Sequence, residues 1–83
     1  MMEEELRISE VLKKFEENAK WVDENILEIQ EKYEGKTIVV KDRKIIMVKA
    51  SLDEALKELE SKGEDIGSVY IETIPKKAIA FIL

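Results

Sequence analysis

EEELRISEVLKKFEENAKWVDENILEIQEKY, residues 3–33, decides the fold. Within it Ile8, Leu12, Phe15, Ala19, Val22, Ile26, Ile29 and Tyr33 follow one another at steps of 4, 3, 4, 3, 4, 3 and 4. This is a heptad seam, the signature of one long helix with a single apolar stripe. Glu3–Arg7, Glu10–Lys14, Glu16–Lys20 and Glu28–Lys32 stand four apart with the acid first, the better orientation for helix pairs. Glu3, Glu4 and Glu5 suit the positive end of the helix dipole. The weakest segment is 17–20, where a break would give two helices. Trp21 and Leu27 fall off the seam, about 120° and roughly 180° from its centre, so they call for a second contact surface.

Outward from that helix, Gly35 is a left-handed stop. Lys36–Lys41 and Lys44–Ala50 are β-branched runs around Asp42-Arg43, a hairpin over 36–50. Asp-Arg is a poor two-residue turn, because the tightest type wants glycine or asparagine second; a looser connection is expected. Both runs are apolar on both faces, which predicts a sheet covered on both sides. Ser51-Leu52-Asp53-Glu54 is a capping box that opens a helix over 51–62, with Gly63 ending it. Residues 68–83 read as a second hairpin around Pro75-Lys76, its last strand docked because it closes on Ala-Phe-Ile-Leu. The expectation is a single α+β domain over 1–83: a long helix, then hairpin, helix, hairpin (αββαββ), with helices packed on a four-stranded sheet.

Composition excludes much chemistry. The 83 residues contain no cysteine and no histidine. Disulfides, thiolate metal sites and the commonest general base and metal ligand are therefore absent. No early segment joins a basic start to a long apolar run, and no stretch approaches the roughly 20 apolar residues of a membrane span. The expectation is a cytoplasmic protein with no membrane segment. Charged residues are 40% of the chain, a composition like that of thermophilic proteins.

The net charge of −5 is unevenly spread: residues 1–34 carry −6, whereas residues 35–50 carry +4. An acidic helix and a basic hairpin attract each other weakly, within a chain or between chains.

From Trp21 onward the chain resembles a family of small archaeal and bacterial proteins catalogued as a domain of unknown function. The resemblance rests on Trp21, Asn25, Tyr33-Glu34-Gly35-Lys36, the first strand, Asp42, Ser51-Leu52-Asp53-Glu54-Ala55-Leu56, Lys62-Gly63-Glu64-Asp65 and Ile74-Pro75-Lys76. It departs at Arg43, where the family usually has glycine, and at Thr37, where a tryptophan is common. It implies an αββαββ body and assigns no reaction, substrate or site residue.

No catalytic set emerges. The acid pairs Glu16-Glu17, Asp23-Glu24, Asp53-Glu54 and Glu64-Asp65 read as helix surface, a cap and a loop. Gly35-Lys36-Thr37 resembles the tail of a phosphate loop, but it precedes a strand where that motif opens a helix. We therefore expect no enzyme, no metal and no cofactor. The seam points instead to association, most simply a homodimer, through Ile8, Leu12, Phe15, Ala19, Trp21, Val22 and Leu27. The alternative is a nucleic-acid surface built from Lys41, Arg43, Lys44, Lys76 and Lys77, although an isoelectric point of 4.8 argues against it.

Overall fold

The computed structural model describes residues 2–76, with side chains from residue 8. Helix α1 spans Met2–Glu24 and α2 spans Ile26–Tyr33. Strands β1 (Thr37–Lys41) and β2 (Lys44–Lys49) follow, then α3 (Leu52–Ser61). A short 3-10 turn, Ile66–Ser68, leads into β3 (Tyr70–Thr73). The fold is α+β, and the described sheet has three antiparallel strands in the order β2-β1-β3. Four strands were expected; the second strand of the 68–83 hairpin lies outside the described residues.

The expected continuous helix over 3–33 is divided, and not at 17–20. The break falls at Asn25, whose backbone leaves helical geometry at φ −114° and ψ 15°. Its side-chain amide donates to the Trp21 carbonyl at 2.8 Å, and its backbone N–H is shared between the carbonyls of Trp21 and Val22. A short amide side chain competing for backbone groups is a standard cause of helix interruption. Asn18 does not act this way, because its side chain is engaged elsewhere. It is buried, and its oxygen accepts the backbone N–H of Arg43 at 2.8 Å.

That bond reaches the β1–β2 turn, which is tight after all. Asp42 and Arg43 both adopt positive φ, 50° and 60°. Such left-handed pairs match the twist of a two-residue hairpin but are strained for residues other than glycine. The Asn18 acceptor holds the turn in place.

The sheet is covered on both faces, as its apolar strands require. On one face Val22 and Ile29 from the helices meet Ile38, Val40 and Ile74. On the other, Ala55 and Leu59 of α3 meet Val39, Met47 and Val69. Strand alternation sends Ile38 and Val40 one way and Val39 the other. β2 carries an extra residue, so residues 45 and 47, which regular alternation would put on one face, lie on opposite faces. Val40 pairs with Ile45 but Val39 pairs with Met47, leaving Ile46 as a bulge. The bulge puts Ile45 against the α1–α2 core and Met47 against the α3 core.

Local signals account for the joints. Ser51 accepts the Glu54 N–H at 3.3 Å, as the capping box predicts, but the Glu54 carboxylate accepts from Ala50 and not from Ser51. Gly35 takes φ 77° after α2 and bonds its N–H to the Ile74 carbonyl, while Ile74 donates to Lys36. These bonds lash the end of β3 to the start of β1. Inside the α3 face, the Thr37 and Thr73 hydroxyls share a 2.9 Å hydrogen bond, which satisfies the fully buried Thr37.

Candidate protein-interaction surface

α1 has 23 residues and β1 has five. At 1.5 Å per helical residue and about 3.3 Å per strand residue, the helix runs about 35 Å against about 16 Å of strand. α2 ends where β1 begins, so the two helices run back over the sheet opposite to β1. Asn18 stands at the β1–β2 turn, the far end of the sheet. The part of α1 before it overhangs.

The seam divides accordingly. Val22 is fully buried and Ile29 nearly so, whereas Ile8, Leu12 and Phe15 are 61%, 55% and 50% exposed. Val11, 41% exposed, widens the stripe. Residues 8, 11, 12 and 15 follow i, i+3, i+4, i+7 spacing and therefore share one helix face. This face continues the one that packs on the sheet, so the overhang presents its apolar underside.

Two contacts fix the overhang. The Phe15 and Tyr70 rings meet edge to face, centroids 5.0 Å apart and planes at 68°. Val11 lies over Gly67, where an added Cβ would come within 3.8 Å of it. The 3-10 turn beneath is held by Asp65, whose side chain accepts the Gly67 N–H at 3.0 Å and whose carbonyl accepts the Ser68 hydroxyl at 2.7 Å. Ile66, 55% exposed on that turn, adds a second element to the apolar surface.

The Tyr70 phenol donates to the Glu72 carboxylate at 2.5 Å. Its pKa is pushed up to about 12, first by burial, then by the hydrogen bond to Glu72 and the charges of Glu72 and Asp23.

The other expected interface residues behave differently. Val22 belongs wholly to the chain's own core and cannot serve association. Trp21 packs partly against that core, and Ala19 is half-buried. Leu27 is 78% exposed, on another side of the helices and apart from the overhang. Val11 and Ile66 were not singled out from sequence. The i, i+3, i+4 pattern was there for Val11, but nothing local marked Ile66.

Trp21, Asn25, Ile29, Tyr33 and Ile45 line a half-open cleft of about 160 Å³, with Glu28 and Lys32 on its rim. Ligand pockets usually run about 300–1,000 Å³. Its polar groups bond one another: Asn25 is held by Trp21, and Lys32 pairs with Glu28 at 3.0 Å, which raises the Lys32 pKa. The arrangement offers room for one apolar side chain and no converging polar set.

The basic residues do not gather on one patch. Arg43 and Lys44 sit at the β1–β2 turn. Lys76 sits at the opposite end, against Gly35. Lys41 is ion-paired with Glu64, whose hydrogen bond and charge raise its pKa, and Lys49 pairs with Glu58 at 3.2 Å. Lys77 lies outside the described residues. Among the described residues, no three acidic side chains stand together as a group able to hold a metal ion, and no helix is long and apolar enough to cross a membrane.

A family model matches residues 28–77, from within α2 through β3. The chain belongs to DUF5678, a family of unknown function. The DUF5678 match begins seven residues beyond Trp21, so it takes in the sheet, α3 and the cleft's α2 wall but leaves out α1 and its overhang. No curated protein and no solved structure matches the chain.

Proposed function

We propose that this DUF5678 protein is a non-enzymatic interaction module that self-associates through α1. The observation that carries the reading is the overhang: four apolar side chains on one face, each 41–61% exposed, with Phe15 over the last residue of the sheet and Ile8, Val11 and Leu12 beyond it. Contiguous exposed apolar surface on a small domain marks a contact site more often than a scattered leucine does. A core this small also gains from association. In this reading the protein is a cytoplasmic homodimer without cofactor.

Sedimentation velocity from about 1 to 300 µM tests the proposal. The expected result is a concentration-dependent dimer that Leu12→Glu converts to a folded monomer. Leu12 is exposed, so the variant keeps its circular dichroism spectrum. A wild-type monomer at the highest concentration overturns the reading.

A further inference from the structure

The pairing of β1 with β2 changes register at Ile46. Thr37, Ile38 and Val39 face Lys49, Val48 and Met47; past the bulge, Val40 and Lys41 face Ile45 and Lys44. Continuing the first register would set Val40 against Ile46 and Lys41 against Ile45. The extra residue would then move from the strand to the turn, which becomes Asp42-Arg43-Lys44. Residues 45 and 46 are both isoleucine, so either register brings the same side chain opposite Val40. The α1–α2 core is filled both ways.

The turn on its own favours the second register. The two-residue loop holds both central residues left-handed, Asp42 at φ 50° and Arg43 at φ 60°. A three-residue loop is a type I turn followed by a single left-handed residue, which would be Lys44. It removes one of two strained positions and returns Ile46 to the ladder. It is also the looser connection that Asp-Arg predicts.

The observed register is held from outside the hairpin. The Arg43 N–H donates to the buried Asn18 of α1. A type I turn mirrors the left-handed pair, so it turns over the peptide between Asp42 and Arg43 and carries that N–H away from Asn18. The bond therefore belongs to one register alone, and an interaction made in only one of two states biases their equilibrium.

We propose that the first hairpin is a two-register switch latched by α1. With Asn18 on the Arg43 N–H, the extra residue sits at Ile46. Without that bond it moves into the turn, and Ile46 replaces Ile45 opposite Val40. Register and α1 seating form one equilibrium: whatever draws α1 off the turn favours the three-residue loop, and stabilising that loop loosens α1. The switch is a property of one chain and stands whether or not two copies associate.

Nuclear magnetic resonance of Asn18→Ala tests it. In the wild type, cross-strand Overhauser contacts should join Val40 to Ile45, with left-handed Cα shifts at Asp42 and Arg43. In Asn18→Ala the contacts should join Val40 to Ile46, and the left-handed shift should move to Lys44. Asn18→Ala/Arg43→Gly should restore the wild-type register, because glycine takes the left-handed position without strain. A folded Asn18→Ala that keeps Val40 against Ile45 overturns the switch. Where Asn18→Ala does not fold, Lys44→Gly decides. Glycine favours the three-residue loop there, so contacts from Val40 to Ile46 should appear and amide exchange in α1 around Asn18 should quicken at least about fivefold. An unchanged register in Lys44→Gly overturns the proposal.

Discussion

The backbone amide of Arg43 donates to the side-chain oxygen of Asn18 at 2.8 Å, joining the C-terminal third of α1 to the tip of the first hairpin. This bond sets the point at which the helix leaves the sheet. C-terminal to it the seam is core; N-terminal to it the seam is surface. It also steadies a turn whose two central residues are both left-handed.

Removing the acceptor should be costly. Asn18→Ala removes the acceptor of the partly buried Arg43 N–H, which is worth about 0.5–1.5 kcal/mol. Arg43→Gly should act in the other direction. It releases about 1–2 kcal/mol of left-handed strain against about 0.5–1 kcal/mol of added chain entropy, a net gain of about 0.5–1 kcal/mol. Urea denaturation of both variants checks the pair. Equal stability of Asn18→Ala and wild type would show that the bond contributes nothing.

The two halves of the seam should respond unequally to truncation. Ile29→Ala removes a side chain 3% exposed and should cost about 2–5 kcal/mol. Leu12→Ala should cost the monomer less than about 0.5 kcal/mol, since surface changes seldom do more. Denaturation at low micromolar concentration, compared with the same experiment at high concentration, separates the monomer effect from association.

Thr37 and Thr73 form a closed pair across β1 and β3. Thr73→Val should destabilise the fold by about 1–2 kcal/mol by stranding the buried Thr37 hydroxyl, while Thr37→Val/Thr73→Val together should cost less than that single change. A double-mutant cycle reads the difference, and a double variant weaker than the single one would contradict it.

Tyr70 should make stability fall in strong alkali. Its folded pKa of about 12 stands above the ordinary value of 10. Between the two the folded state holds a proton that the unfolded state has lost, so stability decreases as pH rises from about 10 to 12. Below 10 the contribution is fully present. Ultraviolet titration should show one phenol ionising near 12, and Glu72→Gln should move that phenol downward.

Much of the local architecture was legible in the residues. Ser51-Leu52-Asp53-Glu54 announced α3, Gly35 and Gly63 marked helix ends, and the β-branched runs placed β1 and β2. The Glu28–Lys32 pair follows from spacing alone. These are short-range effects, settled within four residues by capping, backbone freedom and side-chain branching. The helix break was misplaced because Asn18 and Asn25 look alike in sequence. What separates them is a hydrogen-bond partner 25 positions away for the first and the helix's own backbone for the second. The bulge at Ile46 was hidden for a related reason: pairing is a property of two strands, and neither strand alone states its register.

By itself the sequence determined that residues 3–33 would be helical and that their apolar side chains would share one stripe, because helical periodicity is a matter of angle per residue. Which part of the stripe is covered was decided only by tertiary structure. A five-residue strand offers less than half the length of α1, so Val22 and Ile29 find a sheet beneath them, while Ile8, Val11 and Leu12 extend past its end.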